Sequence, residues 1–198
     1  MILFFDTETS GLPLWRDPSD DPRQPHLLQI AAILCDDSGN EIESMSTLVK
    51  PGAGCVIEKE AFEAHGITLE KANAEGRDPA SVVKQFVGLV KKATGLCGHN
   101  LPFDIRIMRI ASSRHCNIKW QNTLPVFDTM KRSTAIVNLP PTPKMLAAGF
   151  NKPKSPKLSE CIMHFFGEEL EGAHDALVDV RACMRIYFHL TNELGVAA

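Results

Sequence analysis

Asp6 and Glu8 stand two residues apart, just after the apolar run Ile2-Leu3-Phe4-Phe5. Residues i and i+2 of a strand project from the same face. The two carboxylates can therefore face one point beyond the strand end. Placed there, they repel unless protons or cations intervene. A divalent cation is the simplest answer; a solvated pair of acids at a strand end is the plain alternative. Asp104 opens a helical segment after Gly98-His99-Asn100-Leu101-Pro102. Alone it reads as an acid that favours the helix dipole. His174, Asp175 and Asp179 fall at the start of the last helical segment. Asp175 and Asp179, four apart, share a helix face, and a histidine at the helix start can hang over a site that Asp179 enters from the side. Taken alone, that pair reads as an exposed cap histidine and a salt-bridged acid.

The elements that must carry these groups follow from periodicity and punctuation. Ile2 to Phe5 predicts a buried strand that ends at Asp6. Leu27 to Cys35 predicts a second strand, Asp37-Ser38-Gly39-Asn40 a hairpin turn, and Glu41 to Val49 the returning strand. Between the first two strands, Leu14 to Pro25 is rich in Pro and Asp and reads as a long loop, mobile or functional. Short helices are expected from Glu58 to Ala64 and, behind a Thr68 cap, to Ala74. Behind an Asp78 cap, a helix from Pro79 to Ala93 carries an apolar stripe. Thr94 to Cys97 predicts a strand, Phe103 to Cys116 a helix, and Thr123 to Phe127 a strand ending at Asp128. A Pro- and Lys-rich excursion from Leu139 to Pro156 includes a short helix at Met145 to Gly149. Helices at Leu158 to Phe166 and His174 to Leu190 complete the chain. Strands first, then strands interleaved with helices, indicate an α/β or α+β sheet covered by helices.

Composition narrows the class. The chain has 198 residues, 44% hydrophobic and 23% charged, which suits one globular domain spanning residues 1–198. It has no apolar run of the roughly 20 residues that a membrane span needs. The start Met1-Ile2-Leu3-Phe4-Phe5-Asp6 lacks a secretory signal, and a cytoplasmic location is expected. The six cysteines form no CxxC pair and read as free core thiols. The formal net charge of −3 is unusual for a nucleic-acid binder, although an acidic metal site would subtract charges that bound cations return.

Together the acids and the histidine resemble the DEDDh 3′–5′ exonucleases, a family that includes the proofreading epsilon subunit of bacterial DNA polymerase III, ribonuclease T and oligoribonuclease. The likeness is carried by Phe5-Asp6-Thr7-Glu8-Thr9-Ser10-Gly11-Leu12, by Gly98-His99-Asn100-Leu101-Pro102-Phe103-Asp104, and by Ala173-His174-Asp175-Ala176-Leu177-Val178-Asp179-Val180. Shorter stretches agree: His65-Gly66-Ile67-Thr68, Phe127-Asp128-Thr129 before a helix, and Lys157-Leu158-Ser159-Glu160. The branch with tyrosine as base carries it four residues before the last acid; here that position is Asp175, so the resemblance is to the histidine branch.

The resemblance implies an RNase H-like α/β fold: a central mixed five-stranded sheet, its first three strands antiparallel, flanked by helices. It implies that Asp6, Glu8, Asp104 and Asp179 hold two divalent cations, Mg²⁺ or Mn²⁺, and that His174 is the general base. An imidazole with its ordinary pKa of about 6.5 is competent for that role near neutrality. It also implies that the Thr7 backbone, Thr9, Leu12, His99, Asn100 and Phe103 surround the terminal nucleotide. The partner is then the 3′ end of a single nucleic-acid strand, DNA ahead of RNA, with no membrane. A replication or repair protein and a second copy of the chain are further partners the resemblance allows. Lys131, Arg132, Lys144, Lys152, Lys154 and Lys157 are candidates to follow the strand backbone, or simply solvated loop charges. The loop from Trp15 to Pro25 is a candidate lid or guide, although Asp17, Asp20 and Asp21 disfavour phosphate. The chain ends soon after its last helix, without the long polymerase-binding tail of the epsilon subunit, which leads to the expectation of a free-standing enzyme or one that binds partners through its surface.

Overall fold

The first strand of the chain, β1 (Ile2–Thr9), becomes the middle strand of the sheet, and its two faces set the architecture. Leu3 and Phe5 point to one side; Phe4 points to the other, and Asp6 and Glu8 follow it by the two-residue period. The computed structural model describes residues 1–197. β2 (Leu27–Cys35) pairs antiparallel with β1, and β3 (Glu41–Leu48) antiparallel with β2. β4 (Gly95–Gly98) lies parallel to β1 on its other edge, followed by β5 (Val126–Asp128), also parallel. The strand order is β3-β2-β1-β4-β5. The expected mixed five-stranded sheet with three antiparallel leading strands is borne out.

The helices are α1 (Lys59–His65), α2 (Leu69–Glu75), α3 (Pro79–Val90), α4 (Leu101–Cys116), α5 (Thr129–Val137), α6 (Pro143–Ala147), α7 (Leu158–Phe166) and α8 (Ala176–Phe188). On one face Leu3 and Phe5 pack with Phe86 and Leu89 of α3 and with Ile107 and Met108 of α4. On the other, Phe4 and Ile33 pack with Val180, Cys183 and Tyr187 of α8 and with Cys161 of α7. Each fully buried Leu, Ile or Phe stabilises such a layer by about 1.5–3 kcal/mol. Phe4, Phe127 and Tyr187 meet edge to face, with centroids 5.2 and 4.8 Å apart. All six cysteines are free; the buried Cys97 and Cys183 sulfurs lie 4.0 Å apart across this second layer.

Several boundaries differ from the sequence reading. β1 runs through Asp6 to Thr9, because Gln29, Ile30 and Ala31 of β2 continue the ladder beyond the apolar run. α4 begins at Leu101, so Asp104 lies within its first turn. α3 stops at Val90, and β5 is only three residues long. α8 begins at Ala176 rather than His174, since Asp175 is its cap and accepts from the backbone N–H groups of Leu177 and Val178. It ends in a π-helical turn, His189–Glu193.

The loop from Leu14 to Pro25, read from the sequence as mobile or functional and as a candidate lid or guide, is tied down by side chains. Gln24 is buried, and its amide accepts from Leu14 N–H at 3.0 Å and donates to the carbonyls of Leu14 and Pro18, each at 2.9 Å. Arg106 of α4 donates to Ser19 Oγ at 2.8 Å and to the carbonyls of Leu14 and Asp17. Arg114 donates to the carbonyls of Pro25, at 2.8 Å, and Gln24, at 2.6 Å. The loop's backbone groups are thus satisfied by side chains instead of by a ladder. Gln24→Ala is expected to cost about 2–4 kcal/mol, since it strands several half-buried backbone groups at once. Urea unfolding reads this, and proteolysis within 14–25 should accelerate; a variant as stable as the parent would show that the amide does not hold the loop.

Candidate active site

The period-2 geometry of β1 turns Asp6 and Glu8 toward the α8 side, while Thr7 faces α4. Thr7 Oγ1 donates to Asp104 Oδ1 at 2.7 Å, and both side chains are buried. One strand therefore carries two acids and also fixes a third. The fourth, Asp179, sits in the first turn of α8 and is buried. Its Oδ2 accepts from the backbone N–H of His174 at 3.1 Å. Its Oδ1 is buried without a hydrogen-bond partner.

His174 lies outside the helix in the left-handed region, with φ of 69°. That conformation costs a non-glycine residue roughly 1 kcal/mol or more. It lets one residue place its N–H on Asp179 and its exposed imidazole at the rim. Ligand atoms of Glu8, His174 and Asp179 all lie within 4.8 Å of one another.

The carboxylates perturb one another strongly. Burial, then the charges of Asp104, Asp179 and Asp175, holds Asp6 well above the ordinary carboxylate range. Glu8 is pushed up to about 9 by burial, with Asp6, Asp179 and Asp175 adding. Burial also raises Asp104 well above its ordinary value, against the hydrogen bonds from Thr7. Asp179 is raised by burial, with the His174 N–H opposing. Acids held like this bind protons or cations. The four acids offer carboxylate oxygens, one of them orphaned, which fits a divalent cation.

Two cavities flank the acids. One, of about 340 Å³, is lined by Glu8, Thr9, Gly11, Leu12, Glu58 and Phe103 among others. Leu12 is 73% exposed there, opposite Phe103, which also packs on the core. Thr9 Oγ1 donates to the Gly11 carbonyl at 2.7 Å. The Glu58 carboxyl lies close over Gly11, where a Cβ would stand 2.4 Å from its carboxyl carbon, so a side chain there would displace Glu58 from the cavity wall. The other cavity, of about 360 Å³, is lined by Asp6, His99, Asn100, Lys157, His174 and Asp179 among others. The residues grouped by the sequence reading around one nucleotide are thus divided: Thr9, Leu12 and Phe103 on one side, His99 and Asn100 on the other.

The His99 ring is occupied by the fold. Its Nε2–H donates to the Pro156 carbonyl at 3.0 Å, and its Nδ1 lies 3.0 Å from the Thr129 hydroxyl, which also reaches the Gly98 carbonyl at 3.1 Å. Burial lowers its pKa. His99 thereby holds the 155–157 segment as a wall of the second cavity. Asn100 is left-handed, with its N–H on Asp128 Oδ1 at 3.1 Å and its side chain free of any cap bond. Among the lysines proposed to follow a strand, Lys154 is paired with Glu160 at 2.6 Å.

Sequence reasoning missed several positioning residues. Gln29 pairs with Glu8 in the β1–β2 register. Its Nε2 donates to Asp175 Oδ2 and its Oε1 accepts from Ala176 N–H, both at 3.2 Å. It therefore clamps the start of α8 against the acids of β1. Its signal was present, as the one polar residue in the apolar run of β2. His65 Nδ1 accepts from Ile67 N–H and its Nε2 donates to the Thr9 carbonyl, both at 3.0 Å, which ties α1 to the end of β1.

The sequence profile of the exonuclease family, RNase T, matches residues 3–187. The chain belongs to this exonuclease family. The DEDDh likeness and the RNase H-like fold are both borne out. No curated protein matches the chain. Among solved structures, E. coli exonuclease I in complex with a dT13 oligonucleotide is 23% identical, with a TM-score of 0.72, over 98% of this chain and 41% of that one. The complex of the same enzyme with a dA16 oligonucleotide is 25% identical, with a TM-score of 0.72, over 96% and 40%. A zinc-bound form of its complex with single-stranded DNA is 24% identical, with a TM-score of 0.71, over 98% and 41%. This chain thus spans about two fifths of the length of exonuclease I. Among the described residues no helix is long and apolar enough to cross a membrane.

The raised carboxylates predict an unusual pH response. Between 4.5 and about 9 the folded protein keeps a proton on Glu8 that the unfolded chain has released. Its contribution to stability is whole below that window, falls across it, and levels off above about 9. In chelator, stability should therefore decline as pH rises; Mg²⁺ should offset the decline, and Glu8→Gln should flatten it. Thermal unfolding with pH checks this, and an identical slope in the variant would refute the electrostatic reading.

Proposed function

We propose that this chain is a metal-dependent 3′–5′ exonuclease, one domain over residues 1–198, that hydrolyses phosphodiesters from the 3′ end of single-stranded DNA and releases nucleoside 5′-monophosphates. The observation that carries the proposal is the convergence of Asp6, Glu8, Asp104 and Asp179, from three distant segments, between two cavities and below His174. Membership of the exonuclease family supports the reaction class. Exonuclease I bound to dT13 and dA16 supports single-stranded DNA, and its zinc-bound form supports a divalent cation.

Asp6, Glu8, Asp104 and Asp179 would hold two such cations, which when bound supply positive charge to the phosphate and acidify water. Thr7 keeps Asp104 oriented, and the His174 N–H keeps Asp179 oriented. The imidazole of His174, exposed at the rim, takes the proton of the attacking water as general base. Leu12 and Phe103 offer apolar surface to the terminal base, and Phe103 offers a ring to stack on. Asn100, with an uncommitted amide, faces the sugar-phosphate on the other side of the acids.

His174→Ala is expected to lower kcat by roughly 10²–10⁴-fold, as for loss of a general base. Asp6→Ala or chelation should abolish release, with Mg²⁺ or Mn²⁺ restoring the chelated enzyme. Nucleotide release from matched, end-labelled DNA and RNA oligonucleotides measures all of this. Faster release from RNA would turn the reading to an exoribonuclease, and release untouched by both substitutions would remove the activity from this site.

A further inference from the structure

α4 carries a stripe of residues at helical spacing, Pro102, Arg106, Arg109 and Ser113, that runs away from the acidic site. Arg106 spends its terminal nitrogens on the Leu14–Ser19 loop. Arg109 is one turn further and makes no side-chain hydrogen bond or ion pair among the described residues, with its Nε buried and unpartnered. A guanidinium cannot shed its charge; the Nε of Arg109, like that of Arg106, is buried without an acceptor, and its terminal nitrogens, unlike those of Arg106, are left free for one.

Arg109 lines a cleft of about 440 Å³ between this loop, α4 and the segment after it. The volume is that of a small-molecule site. Lys119 adds a second cation that likewise has no ion pair, and Asp20 is the single acid on the rim. Ser19, Ser113 and Gln121 supply neutral hydrogen-bonding groups. Trp120 rests edge to face on Phe86, with centroids 5.7 Å apart, and its remaining surface forms part of the wall. Two cations facing one acid, a planar ring and several hydroxyl or amide groups match an anion that carries an aromatic base.

We propose that this cleft binds a nucleotide unit, with Arg109 and Lys119 on its phosphate and Trp120 beside its base. The identity of the ligand as a nucleotide rests on the proposed exonuclease function. Arg109 stands five residues beyond Asp104, about 7.5 Å of rise along the helix. Two sources of the same chemistry reach it: a nucleotide of the strand still attached, or the mononucleotide just released.

Arg109→Gln removes the charge and keeps the length. Its urea midpoint should equal or exceed that of the parent, since nothing folded depends on the guanidinium. With Mg²⁺ and an oligothymidylate of about twenty residues, loss of a charged contact should raise KM roughly tenfold and leave kcat unchanged. With the dinucleotide KM should stay at the parent value; this pair of results assigns the cleft to the strand. If instead thymidine monophosphate alone shifts the Arg109 Nε–H resonance of the parent, and the variant's KM is unchanged, the cleft takes the released nucleotide. A resonance moved by neither ligand in chelator, with KM unchanged or the urea midpoint lowered, overturns the proposal. A parent that releases no nucleotide, yet whose resonance shifts with the monophosphate, keeps the cleft and removes the exonuclease reading.

Discussion

Repulsion among four carboxylates is the constraint around which this molecule is arranged. Water would keep Asp6, Glu8, Asp104 and Asp179 apart; the fold takes them out of water and brings them together. Such a cluster opposes folding and persists only if the surroundings hold it firmly. The central position of β1, hydrogen-bonded on both edges, is one such hold. The two aromatic layers around Phe4 and Phe5 are another, for they anchor the strand that bears two of the acids.

Two of the acids are also aimed by groups that do not themselves face the site's centre, and a third group clamps the helix that bears one of them. Thr7 fixes Asp104, the strained His174 backbone fixes Asp179, and Gln29 fastens the helix start to the strand opposite Glu8. These partners leave some carboxylate oxygen free, most plainly Asp179 Oδ1. A hydrogen-bond network designed for stability would have satisfied that atom. Leaving it open stores affinity for a cation at the expense of the empty fold, the usual relation between site strain and function.

Much of this was legible in the sequence because the acids lie in short contiguous motifs. The periodicity of β1 alone placed Asp6 and Glu8 on one face, and the apolar runs located all five strands. The misplaced limits share one cause. Hydrophobicity reports burial, whereas strand and helix ends are decided by hydrogen bonds. β1 outlasts its apolar run because β2 continues to pair with it, and α8 starts two residues late because Asp175 caps it. Contacts such as Gln29 with Ala176, 147 residues apart, leave no local mark beyond a polar residue in an apolar strand. The same limit hid the restraint on the Leu14–Pro25 loop, whose anchors Arg106 and Arg114 lie some ninety residues downstream.

That restraint joins the acidic site to the opposite end of α4. The helix enters the site with Asp104 in its first turn, grips the loop with Arg106 in its second, and grips it again with Arg114 near its end. Loop and helix therefore move as one body, and the turn bearing Leu12 is attached to the same body through Leu14. A terminal base pressed against Leu12 and Phe103 would push on a braced wall instead of a flexible lid. Positioning of the scissile phosphate over the acids would then depend on the rigidity of that wall, because an alignment error of about 1 Å can cost roughly a hundredfold in rate. Arg109, alone on this helix in gripping nothing, is the exception that the bracing does not explain. Arg106, one turn earlier on the same stripe, shows that carbonyls of the loop were within reach of an arginine on this face. A guanidinium left unpaired beside them is therefore better understood as reserved for an acceptor that arrives from outside.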